Sequence, residues 1–258
     1  MSKFIDDLKR AGNGAPSPIG FMPRQPAAAP CRMQLLAVVA PEDLDRVAEF
    51  LDGADAVLLP VASENPSKKR LAGFAGGAGK TPWGGWLKSK TAAIPELVKA
   101  GCDFVVFSGA TVLTAAAEEK TGKILEVGPS ITDTLLRAAG NLPVDAVFIN
   151  DDSVGEGPLT WQHLLQFQRC AALLTKPLLA PVPADAGAEE LKLLWEAGVV
   201  CAVVDTEGMS PEKFKALRKT IDDTRFPLRG RRREKLDATM PRPQLEPAEV
   251  EHEEEEEE

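Results

Sequence analysis

The chain has 258 residues, room for one large domain or two small ones, and its 30 Lys and Arg against 39 Asp and Glu give a formal charge of −9. Nine of those acids, Glu246, Glu249, Glu251 and Glu253 to Glu258, close the chain, so residues 1 to 245 balance 30 bases against 30 acids. A neutral body without an 18-residue apolar stretch excludes an overall basic nucleic-acid binder and a membrane-spanning protein.

Met1 to Gly14 reads as a short amphipathic helix with Phe4, Ile5 and Leu8 on one face and a Gly-rich stop. It lacks the apolar core of a secretory signal, from which a cytoplasmic location is expected. Ala15 to Pro30 carries five prolines and little apolar periodicity, as an extended arm would. From Gln34 onward short aliphatic runs alternate with helix-period segments, the pattern of parallel βαβ units.

The expected strands are Gln34 to Ala40, Asp55 to Val61, Trp83 to Leu87, Asp103 to Ser108, Lys123 to Val127, Asp145 to Asn150, Pro177 to Val182 and Cys201 to Asp205. Helix starts are signalled by Pro41 and Pro95 at first-helical positions, by Ser130 with Asp133, by Thr160, and by Ser210-Pro211-Glu212. The longest connection, Ala62 to Pro82, joins Lys68, Lys69 and Arg70 to GFAGGAG at 73 to 79. It is expected to be a lid over an anionic substrate, or else a solvated charged turn. GGAGKT at 76 to 81 is not a phosphate loop, because the motif requires glycine at 74 and the chain has Phe74.

A repeat underlies the pattern. EFLDGADAVLLP, LVKAGCDFVVFS, LLRAAGNLPVDAVFIN and LWEAGVVCAVVD each end a helix in a small residue or glycine before a strand. Gly53, Gly101, Gly140 and Gly198 are spaced by 48, 39 and 58 residues, a mean near 48 for two βα units. Near-continuous apolar strands mean burial on both faces. Through these phrases residues 32 to 225 resemble the aldolase-type (β/α)8 barrels, a superfold and not one specific family. An open doubly wound sheet is the competing arrangement. The expected organisation is a helix and Pro-rich arm over 1 to 31, a (β/α)8 TIM barrel over 32 to 225, and a disordered basic-then-acidic tail over 226 to 258.

The resemblance implies a site at the C-terminal ends of the strands. Polar residues there are Ser63, Glu64 and Asn65, then Lys88 and Lys90, Ser108, Glu126, Asn150 with Asp151 and Asp152, and Asp205 with Thr206 and Glu207. Glu126 and Asp205 interrupt or end apolar strands, where a carboxylate must find partners or shift its pKa upward, so they are the candidate proton-transfer residues. The plainer reading is that each caps the following loop or pairs with a base. Ser108, Asn150, Lys68 and Lys88 are candidate substrate contacts, and Gly208 and Ser210 could supply phosphate-binding amides together with Gly187. No Gly-Gly pair follows the seventh or eighth strand, which weakens the phosphate reading. Asp-rich loops such as Asn150-Asp151-Asp152 cap helices more often than they bind Mg²⁺. A Schiff-base lysine is not expected, since the sixth strand has none and Lys88 reads as an exposed loop residue without desolvation.

Trp83 and Trp86 read as core or as a pocket mouth, and His163 as a capping or helix-surface residue. Cys31, Cys102, Cys170 and Cys201 show no C-x-x-C spacing and read as reduced core thiols. Six bases between Arg225 and Lys235 could bind phosphates, but the Glu run nearby would compete, which argues against nucleic acid as a partner. No pattern names a cofactor, a metal site or an oligomeric state. Two functions remain open: a lyase or isomerase acting on a small anionic metabolite that can carry a phosphate, and a non-catalytic barrel that binds partners through its charged C-terminus.

Overall fold

The computed structural model describes residues 2–13, 32–40, 46–62, 67–89, 94–113, 121–154 and 157–227. The expected Pro-rich arm and nearly all of the expected tail lie outside them, as do Cys31, Pro41, Ser63, Glu64, Asn65, Lys90 and the side chains of Lys69 and Arg70.

Eight strands close into one parallel barrel in chain order: β1 Gln34–Val38, β2 Ala56–Val61, β3 Trp83–Leu87, β4 Phe104–Ser108, β5 Gly122–Val127, β6 Ala146–Ile149, β7 Leu178–Pro181 and β8 Val199–Asp205. Closure is direct, with β1 paired to β8 from Gln34 opposite Cys201 to Val38 opposite Asp205. The open sheet is thereby excluded, and the chain is a (β/α)8 TIM barrel. Helix α1 (Lys3–Asn13) precedes it. Helices α2 (Val47–Leu51), α3 (Lys68–Ala78), α4 (Ile94–Lys99), α5 (Asp133–Asn141), α6 (Trp161–Leu173), α7 (Ala188–Glu196) and α8 (Pro211–Asp223) cover the outside.

Side-chain alternation divides the core in two. One parity of each strand faces the helices: Leu35 and Ala37, Leu59 and Val61, Leu125 and Val127, Val147 and Ile149, Ala202 and Val204. The other parity fills the interior with Leu36, Val38, Leu58, Trp86, Phe104, Val106, Ile124, Phe148, Leu179, Cys201 and Val203. The floor is closed by α1, whose Phe4, Ile5 and Leu8 join this interior cluster, with Phe4 stacked 4.7 Å from Phe104. Gly84 makes that possible, since a Cβ there would lie 2.3 Å from the Phe104 ring.

The aspartates of the repeated phrases do structural work at this floor. Asp55 accepts the Leu35 N–H at 2.8 Å and Asp145 the Lys123 N–H at 3.1 Å, satisfying strand-end amides. Asp103 takes the Ser2 hydroxyl at 2.7 Å and the amides of Lys3 and Phe4 at 2.9 and 3.0 Å, and so fixes the start of α1. Asp55 also holds the buried Arg218 guanidinium at 2.9 Å, tying α8 to the barrel. Of the repeat glycines, Gly198 has φ 109°, and an added Cβ would meet the Ala171 Cβ at 2.1 Å.

Two expectations are corrected. The connection from Ala62 to Pro82 is not a continuous loop, because residues 68 to 78 form α3. Leu71, Phe74 and Ala78 recur at helical spacing and bury on the barrel, while Gly73 and Gly76 face away with open space around them. That apolar stripe outweighs the low helix propensity of glycine. At α5 the cap is Thr132, whose hydroxyl accepts the Leu135 N–H, and not Ser130.

Cys102, Cys170 and Cys201 are buried free thiols. Burial pushes Cys102 up to about 12 and raises Cys201 and Cys170 as well. In a Cys31→Ser background, a thiol reagent at pH 8 should label none of these three until denaturant unfolds the barrel. Phe4→Ala should cost about 3–5 kcal/mol in urea unfolding, because it empties the floor of the interior core.

Candidate functional site

The interior parity continues past the apolar layer to the C-terminal ends of the strands. Trp86 is followed on its face by Lys88, Val106 by Ser108, Ile124 by Glu126, Phe148 by Asn150 and Val203 by Asp205. Ser108 lies opposite Glu126 in the strand register, and Glu126 opposite Phe148.

At the centre of this mouth the Glu126 carboxylate takes two hydrogen bonds. Trp86 Nε1–H donates to Oε2 at 2.7 Å, and Asn150 Nδ2–H to Oε1 at 2.9 Å. Each carboxylate oxygen keeps a lone pair beyond these contacts, and both donors are neutral. Glu126 is therefore oriented by neutral hydrogen-bond donors. The indole is itself fixed edge-to-face against Phe148, with ring centroids 5.5 Å apart.

The same indole carries Lys88, whose Nζ sits 3.2 Å from the ring centroid. Although the residue as a whole is exposed, desolvation of its amine is the largest influence on it and holds its pKa below the usual lysine value. The negative fields of Glu126, Asp152 and Asp205 oppose that shift. The expectation that Lys88 lacks desolvation is corrected: the wall of the barrel mouth excludes water from part of its shell.

The other candidates separate. Asp205 is exposed, and its Oδ1 accepts the Glu207 N–H at 2.9 Å, so one oxygen caps the loop while the residue contributes to the field at Lys88. The Ser108 hydroxyl accepts the Ala110 N–H at 3.3 Å. Lys68 is exposed at the start of α3, and no contact joins it to the Glu126 group among the described residues.

At the proposed phosphate position the chain's own groups occupy two amides, those of Gly187 and Lys213. Gly187 N–H donates to Glu190 Oε2 at 2.7 Å, and the Ser210 hydroxyl accepts the Lys213 N–H. The Glu212 carboxyl at the start of α8 lies below its usual range, chiefly through its own backbone N–H and then through Ser210. Gly208, at φ 66°, shapes the turn before α8.

Asp151 and His163 form a second polar group beside the mouth. Asp151 Oδ1 accepts the Ser153 N–H at 3.1 Å and the Ser153 hydroxyl at 2.5 Å, and Ser153 Oγ lies 3.2 Å from His163 Nε2. His163 Nδ1 accepts the Thr160 N–H, which completes a capping box on α6 and places the ring proton on Nε2. His163 is thus a capping residue as expected, and it is buried and not on the surface.

Sequence reasoning missed the Trp86 donor and the Asp151–Ser153–His163 chain. The signal for the first is in PWGGW: three residues apart, Trp83 and Trp86 take opposite faces of β3. Trp83 packs outward on Phe74, with centroids 5.4 Å apart, and Trp86 turns inward with Lys88.

Comparison with known proteins supports the fold alone. No protein-family model and no curated protein matches the chain. Among solved structures, a variant tryptophan synthase alpha-subunit from the hyperthermophile Pyrococcus furiosus is similar with a TM-score of 0.58 and 13% identity, over 74% of this chain and 97% of that one. Thiamine phosphate pyrophosphorylase from Pyrococcus furiosus is similar with a TM-score of 0.56 and 12% identity, over 74% and 96%. Among the described residues no helix is long and apolar enough to cross a membrane.

His163→Ala should cost about 1–3 kcal/mol in urea unfolding. It removes the acceptor for the Thr160 amide and the partner of Ser153, and leaves buried polar groups unpaired.

Proposed function

We propose that the barrel is an enzyme of the lyase or isomerase type that moves a proton on a carbon next to a carbonyl. The observation that carries this reading is the Glu126 carboxylate, held inside the barrel mouth by Trp86 Nε1 and Asn150 Nδ2 with Lys88 over the same indole. A base needs a fixed position and a free lone pair, and Glu126 has both. Lys88 draws the carbonyl oxygen toward that position, and Asn150 and Ser108 border it.

The substrate class differs from the one the Lys68 to Arg70 segment suggested. At the mouth Lys88 stands among Glu126, Asp152 and Asp205. Together with the occupied amides of Gly187 and Lys213, this favours a small carbonyl compound of little or no negative charge over a phosphate ester.

The test is hydrogen exchange. Proton NMR in D₂O should show the chain exchanging the C–H next to the carbonyl in a panel of small aldehydes, ketones and 2-oxo acids. Glu126→Gln should slow that exchange by about 10²- to 10⁴-fold with an unchanged circular dichroism spectrum. A wild type that exchanges none of the panel, or a variant that keeps its rate, sinks the assignment.

A further inference from the structure

We infer that Lys88 is a covalent site: its amine condenses with the carbonyl carbon of a small aldehyde or ketone to form a protonated imine. The inference rests on the mouth being a carbonyl site and deepens that reading by assigning the attacking group.

Three observations converge on Lys88. It follows β3 on the interior parity, two residues beyond Trp86, so the fold aims it at the space beside Glu126. Its Nζ lies 3.2 Å from the indole centroid of Trp86, whose Nε1 is bonded to Glu126, so nucleophile and carboxylate adjoin the face and the edge of one ring. The residue is open to solvent, which admits a ligand, while desolvation of its amine lowers its pKa, toward the neutral form that attacks.

The indole face suits the product as well as the reactant. A protonated imine keeps the positive charge of the ammonium at the same nitrogen, so the ring quadrupole and the carboxylates Glu126, Asp152 and Asp205 stabilise it. An uncharged carbonyl compound enters this acidic surrounding without repulsion, which a phosphorylated one would meet.

The step balances with the groups present. The neutral amine forms a C–N bond, and one of its protons passes to the carbonyl oxygen to give a carbinolamine. The proton that the Lys88 ammonium gives to the Glu126 carboxylate on becoming the neutral amine passes on to that hydroxyl, the C–O bond breaks, and water leaves. The nitrogen retains one proton and a positive charge, and Glu126 becomes the carboxylate. The cationic imine then acidifies the neighbouring C–H, and Glu126 is the base that takes its proton.

The experiment treats the full chain at pH 7 with glyceraldehyde or with pyruvate, each together with sodium cyanoborohydride, and reads intact mass and peptide maps. One reduced adduct should concentrate on the peptide containing Lys88, several-fold above exposed Lys80, Lys99 and Lys219. Lys88→Arg, which retains the charge over the indole, should lose that adduct with an unchanged circular dichroism spectrum. Labelling spread evenly over the exposed lysines, or no adduct at Lys88 with either probe, overturns the inference. The two readings fail separately. Proton exchange that depends on Glu126 without an adduct removes the covalent step alone, and an adduct at Lys88 without exchange removes the proton-transfer reading alone.

Discussion

Closing eight parallel strands on themselves leaves an interior that only alternate side chains can reach, and the rest of the molecule follows from how that space is filled. From the floor upward the filling is α1 with Phe4, then an aliphatic and aromatic layer that includes Phe104, Val106 and Phe148, then polar groups. The change from apolar to polar occurs at Trp86. Its ring belongs to the layer below through Phe148, and its N–H belongs to the layer above through Glu126. Because packing fixes the ring, the directions of the Glu126 carboxylate and the seat of Lys88 are fixed too. A carboxylate placed one layer deeper would meet Ile124 and Phe148 without a donor, a position whose desolvation nothing there would offset.

The strands were legible in the chain because each is a short apolar run between turn signals. The β3 reading at Trp83–Leu87 coincides with the observed strand, and the others differ from it by one or two residues at an end. Parity was not legible, since apolar residues occupy both faces of nearly every strand and a one-residue change of phase exchanges them. Neither the convergence of Glu126 and Asn150 nor the inward turn of Lys88 could therefore be read in advance. Helix α3, within the segment expected to be a loop, was not legible for a related reason. Four glycines between 73 and 79 mask the Leu71, Phe74, Ala78 stripe, and burial of that stripe on the barrel is a tertiary effect that local propensity does not contain. His163, expected to be a capping or helix-surface residue, is a buried cap, and its link to Ser153 joins residues for which the sequence holds no periodic signal.

The repeated phrases carried a different message from the one that first suggests itself. An aspartate before a buried strand looks like a site residue, but Asp55, Asp103 and Asp145 all serve the floor, where they satisfy amides of β1, α1 and β5. The carboxylates at the mouth, Glu126 and Asp205, lie at the opposite ends of their strands. The floor aspartates and the carboxylates of the proposed site thus lie at opposite ends of one barrel. Position along the strand, and not residue type, separates the two groups.

The same separation explains why net charge misleads about what this barrel receives. The chain total of −9 is set largely by residues beyond 245. At the mouth the relevant balance is one desolvated lysine against Glu126, Asp152 and Asp205. Charges beyond about a Debye length, on the order of 8–10 Å at physiological ionic strength, are screened by salt. A ligand in the mouth therefore responds to those few groups, which is why the proposed substrate is a carbonyl compound and not a phosphate ester. Their field also makes a cation at the Lys88 nitrogen favourable while desolvation works against it. Desolvation is the larger of these opposed influences, and the indole beneath the nitrogen favours the cation on the same side as the carboxylates.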